Sequence, residues 1–204
     1  MEVWRNEPNL TDSIIEEYGY MTGLMTSRDG TEQRRALRRH PVGSLEFSIM
    51  LNGREAWEAL TRLHGHHPDT WVVPLWQHAR RLTSAVTAGD STLYASTDGA
   101  RFLDVAGLGR WAILWTRWDT YELVEITDVT PSQVDLLQPT LASWATNVTW
   151  LLPCRVGRLM DTHGVRWFDK DALTARVRFS FDAAMTDDAI AAHVMIGGAV
   201  LPVI

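Results

Sequence analysis

A chain of 204 residues is long enough for one large or two small domains and a substantial hydrophobic core, which excludes a staple-dependent miniature scaffold. With 46% hydrophobic and 22% charged residues it has the make-up of a globular protein, not of a disordered one. A formal charge of −6 and a pI near 5.6 exclude a dedicated nucleic-acid binder, which neutralises phosphates with a clustered basic surface.

The opening residues Met1-Glu2-Val3-Trp4-Arg5 lack the basic segment and apolar stretch of a secretory signal, so no export is expected. The first strong local signal is Asp29-Gly30, a two-residue hairpin turn between an outgoing strand near residues 18–26 and a return strand near residues 31–39. The return strand holds the densest charge in the chain, Arg34-Arg35-Ala36-Leu37-Arg38-Arg39-His40, with Asp29 and Glu32 before it. Little aromatic character is interleaved with these arginines, so the stretch reads as a solvated strand or a subunit contact.

In Leu45-Glu46-Phe47-Ser48-Ile49-Met50-Leu51 apolar and polar residues alternate, which places Leu45, Phe47, Ile49 and Leu51 on one face of a strand. A helix follows, with Asn52 placed as N-cap, Glu55 three residues on as in a capping box, and Gly65 able to close the C-terminus. Its stripe of Ala56, Trp57, Leu60 and Leu63 is expected to lie buried across a sheet. His64, His66 and His67 come at the helix end. Imidazoles bind zinc or copper, but Gly65 interrupts the face they would share, and an ordinary loop is the preferred reading.

Residues 71–75 form the next expected strand, and from 81 to 156 the texture changes. Strands at residues 91–96, 111–115, 121–128, 133–137 and 148–156 are separated by turn signals such as Ala88-Gly89-Asp90, Asp98-Gly99, Gly107-Leu108-Gly109 and Thr130-Pro131-Ser132. Turns at such short intervals predict a small β-barrel over 81–156, inserted into another domain. The flanks, 1–80 and 157–185, then make one discontinuous β domain, because neither alone has enough strands to close a core. Residues 174–181 are its last strand, with Ala175, Val177, Phe179 and Phe181 on the buried side. The remainder, 186–204, reads as a C-terminal arm. Its apolar run is short for a bilayer span, contains Gly197, Gly198 and Pro202, and is expected to pack on a neighbouring subunit.

The single cysteine, Cys154, lies in an apolar strand where a buried inert thiol is expected, and it cannot form an intrachain disulfide. No Gly-x-Ser-x-Gly elbow, phosphate-cradling glycine loop or local Cys-His signature occurs, so neither an enzyme nor a metal or cofactor is expected. The ten tryptophans admit two readings: core and interface packing, or a sugar-stacking platform formed by Trp111, Trp115 or Trp118.

The segment Ser27-Arg28-Asp29-Gly30-Thr31-Glu32-Gln33-Arg34-Arg35-Ala36-Leu37-Arg38 resembles tail-tip proteins of long-tailed bacteriophages and related gene-transfer particles. Those proteins are similar to the distal tail protein, the ring that joins tail tube to baseplate. The similarity continues through residues 45–51, the helix around Trp57 to Leu63, Trp71-Val72-Val73-Pro74-Leu75-Trp76, residues 82–93, Phe102, Glu122-Leu123-Val124-Glu125-Ile126 and the strand ending at Val156. Trp144-Ala145-Thr146-Asn147 departs from the small glycine turn of the family.

The resemblance implies a mostly-β fold, a tail-tube-like β-sandwich or split barrel with one flanking helix, and no catalytic residues. It implies a structural component of the virion tail, synthesised in the host cytoplasm, that forms a homo-oligomeric ring of six copies in preference to three. The implied partners are the tail tube protein and the baseplate hub or tail-tip proteins, with neither nucleic acid nor membrane. Because edge strands of neighbours can pair in a ring, Arg28, Asp29, Gly30, Glu32, Arg34, Arg35, Arg38 and Arg39 become the expected assembly interface. The alternative is a virion carbohydrate-binding module that stacks host-cell glycans on Trp111, Trp115 or Trp118.

Overall fold

A computed structural model describes the backbone of residues 2–19, 22–26, 32–36, 42–65, 70–97 and 111–181, and the side chains of all these except 22–26, 32–36 and 161–163. The chain is mostly β with one helix, as its alternation predicts. In order come β1 (Glu2–Val3), β2 (Ile15–Gly19), β3 (Thr22–Thr26), β4 (Glu32–Ala36), β5 (Val42–Asn52) and α1 (Gly53–Gly65). Then follow β6 (Thr70–Pro74), a 3-10 turn at Trp76–His78, β7 (Arg80–Arg81), β8 (Thr92–Tyr94), β9 (Trp111–Arg117), β10 (Thr120–Thr130) and β11 (Gln133–Leu136). The long strands β12 (Trp150–Asp169) and β13 (Ala172–Phe181) complete the set.

Eleven strands share one sheet, in the order β2-β5-β13-β12-β9-β10-β11-β8, with β6 and β7 also paired to β12 and β1 paired to β6. Every ladder in it is antiparallel except β1–β6. The β12–β9–β10–β11–β8 path returns on itself, because Leu82, next to β7, bridges Ala95, next to β8, while β7 pairs with β12. The hairpin β3–β4 is a separate two-stranded sheet.

Three apolar clusters fill this framework. In the first, Leu45, Phe47, Ile49 and Leu51 of β5 meet Leu173, Ala175, Val177, Phe179 and Phe181 of β13, and α1 covers them with Ala56, Ala59 and Leu63. Each buried side chain of Leu, Ile or Phe size contributes about 1.5–3 kcal/mol to holding β5, β13 and α1 together. The second cluster draws only on residues between Leu82 and Leu151. The third joins Val72 and Trp76 to Trp111, Ile113, Trp115, Leu152, Cys154 and Val156, with Val3 and Ile14 packed against it.

Four local expectations differ from what is found. Asn52, expected as N-cap, is the last residue of β5, and Gly53 turns the chain directly into α1 with a φ of +56°, its N–H donating to Asp171 O at 2.6 Å. Trp57 is 52% exposed, because the buried stripe centres on Ala56, Ala59 and Leu63 and the next residue is rotated by about 100° from it. The strand expected to stop at Val156 runs on to Asp169, its alternation shifted by register irregularities after Leu159, His163 and Trp167. Finally, β3 pairs Thr26 with Glu32, one position away from the Thr26–Gln33 pairing that a two-residue Asp29-Gly30 turn requires. Residues 27–31 and the apolar run 189–204 lie outside the described residues. Among the described residues no helix is long and apolar enough to cross a membrane.

Candidate functional site

Among the described residues β2 ends the path of the large sheet, and its attachment is built from β12 outward. Arg155 of β12 is 5% exposed, and its guanidinium lies 3.6 Å from Glu16. It also lies over the rings of Tyr18 and Phe181, at 5.4 and 5.8 Å from their centroids. The Tyr18 hydroxyl donates to Glu16. Burial, followed by that hydrogen bond, holds the Tyr18 phenol above its ordinary range. The Arg155 guanidinium thus links β2, through Glu16 and Tyr18, to β12 and to Phe181 of β13.

Beside this strand residues of β2, β5, β13 and β12 line an open groove of about 970 Å³. Tyr18, Val42 and Met160 give it apolar walls, and Glu17, Arg178 and Ser180 give it polar ones. Glu17 and Arg178 pair at 2.9 Å, and Arg176 pairs with Glu46, so the groove is bordered by a cross-strand lattice of both charges.

The sequence-predicted interface lies partly on the separate β3–β4 hairpin. Glu32, Arg34 and Arg35 belong to β4, opposite Thr26, Leu24 and Gly23 of β3, while Arg28, Asp29, Gly30, Arg38 and Arg39 lie outside the described residues.

The tryptophans proposed to stack glycans are placed differently from that reading. Trp111 and Trp115 are 4% and 7% exposed. In the run Trp111-Ala112-Ile113-Leu114-Trp115, one side of β9 enters the third cluster and the other, through Ala112 and Leu114, enters the second. A strand covered on both faces reads as a continuous apolar run, so neither ring presents a face to a sugar. Trp115 Nε1 donates to Arg5 O at 3.2 Å. Trp118 is half-buried, with the guanidinium groups of Arg5 and Arg54 at 5.7 and 5.9 Å from its ring.

The exposed aromatic surface is elsewhere, and sequence reasoning missed it. At the tip of the β12–β13 hairpin Trp167 (40% exposed) and Phe168 (68% exposed) stand next to Trp57 of α1, and the two indoles are 5.0 Å apart and tilted by 43°. Shallow hollows of about 320 and 400 Å³ flank Trp57, one toward Lys170 and the other toward Arg62. The signal was present: adjacent residues of a strand point to opposite faces, so Trp167-Phe168 cannot both enter one core.

Chemical groups elsewhere are in structural roles. Cys154 is buried, its thiol donates to Leu152 O at 3.4 Å, and burial pushes its pKa well above the usual range, which leaves it a poor nucleophile. His64 Nδ1 lies 2.8 Å from Leu60 O, and His66 and His67 are outside the described residues. Among the described residues no three His, Cys, Asp or Glu side chains are grouped to hold a metal ion. The chain matches no family model, and no curated protein matches it.

Proposed function

We propose that this protein is a structural subunit of a bacteriophage tail tip, a ring-forming adaptor that joins the tail tube to the baseplate hub or tail-tip proteins. In this reading the outer body is a tail-tube-like β-sandwich or split barrel, and residues 81–156 are an inserted small barrel. The return of the β12–β9–β10–β11–β8 path through the Leu82–Ala95 bridge supports the barrel.

The observation that carries the assembly reading is β2, the strand at which the path of the large sheet ends among the described residues. It is anchored from below by Arg155, so it is a fixed template and not a fraying end. The identity of the assembly comes from the resemblance of residues 27–38 and the segments that follow.

Native mass spectrometry tests this directly. The expected species is six times the 23.0 kDa chain. Monomer alone at roughly tens of micromolar, with and without a co-expressed tail tube protein, overturns the reading, since an interface above about 1,000 Å² is populated there. Charge reversal of Arg34 and Arg35 to glutamate is expected to lower the assembled fraction without changing the far-ultraviolet spectrum.

A further inference from the structure

Two exposed apolar surfaces lie at opposite ends of the same ladder. The groove beside β2 is at the Gly43–Phe181 end of the β5–β13 pairing, and the aromatic hairpin tip is at the Asn52–Ala172 end. Nine strand steps of about 3.4 Å put them about 30 Å apart. Large exposed rings held by secondary structure are the side chains on which protein contacts concentrate their energy, and among the described residues Phe168 is 68% exposed.

We propose that the tip of the β12–β13 hairpin of one copy, led by Phe168 and Trp167, docks into the groove beside β2 of the next copy. This rests on the ring reading above and names the surfaces that the ring uses. A contact between two different surfaces is head-to-tail. It leaves one of each surface open after every addition and closes only when the rotation completes a circle, which is the geometry that a ring needs and a twofold dimer does not have.

Shape and charge both fit. A groove of about 970 Å³ with Tyr18, Val42 and Met160 in its walls has room for two aromatic side chains and offers a thioether to their ring edges. The hairpin turn carries Asp169, Lys170 and Asp171, and the groove is bordered by Glu17 and Arg178. Glu17 and Arg178 pair with each other at 2.9 Å, and docking adds Lys170 on the Glu17 side and Asp169 on the Arg178 side, one cluster of alternating charge. Within its own chain Lys170 has only a weak tie, 4.0 Å to Asp171 with 83% and 57% of the two side chains exposed.

Lys170 is the only lysine of the chain, which gives the test its resolution. Wild-type protein, mixed from isotopically light and heavy preparations, is treated with a zero-length carbodiimide that joins an amine to a carboxylate. The expected product is a Lys170–Glu17 cross-link between light and heavy chains. In parallel, Phe168→Asp and Met160→Asp are each expected to abolish the ring and give monomer. Mixing the two variants in equal amounts is expected to give dimer and nothing larger, since each supplies one intact surface. A wild type that is monomeric throughout overturns the ring reading and this contact with it. A wild-type ring that cross-links only within chains or to other carboxylates overturns this contact and leaves the ring standing. So does a ring that survives both substitutions, or variant monomers that fail to combine. If either variant fails to fold, the wild-type cross-link alone decides.

Discussion

Glu122 is a carboxylate at 6% exposure whose oxygens accept from Leu141 N at 2.6 Å, Ala142 N at 3.3 Å and Trp144 Nε1 at 2.9 Å. One side chain of β10 therefore fastens the crossing segment that brings Trp144 into the second cluster. Nothing in the alternation of Tyr121-Glu122-Leu123-Val124 reveals this, because the three donors come from about twenty residues downstream. Glu122→Ala strands a buried indole N–H and two amides, and is expected to lower stability by about 2–4 kcal/mol, read as a reduced urea midpoint at unchanged m. Glu122→Gln is expected to recover only part of this, since its amide NH₂ faces a donor. Glu55 behaves in the opposite sense. Burial first, then the charges of Glu7 and Asp119, raise its pKa, against the hydrogen bond from Asn6 Nδ2 at 2.9 Å, which lowers it. With the folded pKa above the unfolded one, the native state binds the proton more readily, and stability falls as pH rises from the unfolded toward the folded value. Glu55→Gln, which can still accept from Asn6, is expected to raise the melting temperature at neutral pH and to lose that advantage below the ordinary carboxylate range. A thermal series from pH 3 to 8 checks the sign; a variant that melts below wild type at neutral pH shows that the Glu55 charge is net favourable.

At the scale of elements, what was legible in the sequence is what one burial pattern dictates. The alternation of residues 45–51 translates directly into β5 because one face meets α1 and β13 while the other meets solvent. The helix was legible from its glycine end and its small apolar residues, but not the orientation of Trp57, since a stripe three residues wide is centred by whichever members pack most closely, here Ala56 and Ala59. Trp57→Ala is accordingly expected to shift the melting temperature by only a few degrees, where a buried tryptophan would cost about 3–5 kcal/mol. A large loss would show that its contact with Trp167 fastens the hairpin tip to the helix. β12 was legible only to Val156 because later register shifts put Asp161, Thr162 and His163 out of phase with the earlier alternation. Gly157 marks a close approach: a Cβ there would sit 2.6 Å from both Ser180 O and the Phe181 ring. Gly157→Ala is expected to cost about 1–3 kcal/mol through displacement of β13, measurable by chemical denaturation. The groove was not legible as a site, since it is assembled from strands far apart in sequence; Trp167-Phe168 carried a local signal, but their neighbour Trp57 comes from α1.

For the whole molecule the deciding feature is that one strand, β12, enters both the first cluster, through Leu159, and the second, through Leu151. Residues 150–154 of β12 pair with β9, and residues 158–169 pair with β13, without a break between them. At the join, the third cluster buries Trp76, Trp111 and Trp115 together, with the Trp76 and Trp115 rings 5.0 Å apart and nearly perpendicular. Unfolding residues 82–151 alone would strip one side of β12 of its partner and expose those tryptophans to water, at a cost of several aromatic burials. Unfolding the outer body alone would remove Val72 and Trp76 from the same cluster. Either partial state therefore loses contacts that the remaining body cannot replace, and the chain is expected to unfold in one transition despite its two separate inner cores. Tryptophan fluorescence, dominated by the join, and far-ultraviolet dichroism, which reports all strands, should give superimposable urea curves. Glu122→Ala in the central core and Gly157→Ala beside β13 should both move that one transition. Two resolved transitions, with Glu122→Ala shifting one and Gly157→Ala the other, would show that the shared strand melts at its middle and that the bodies are energetically independent.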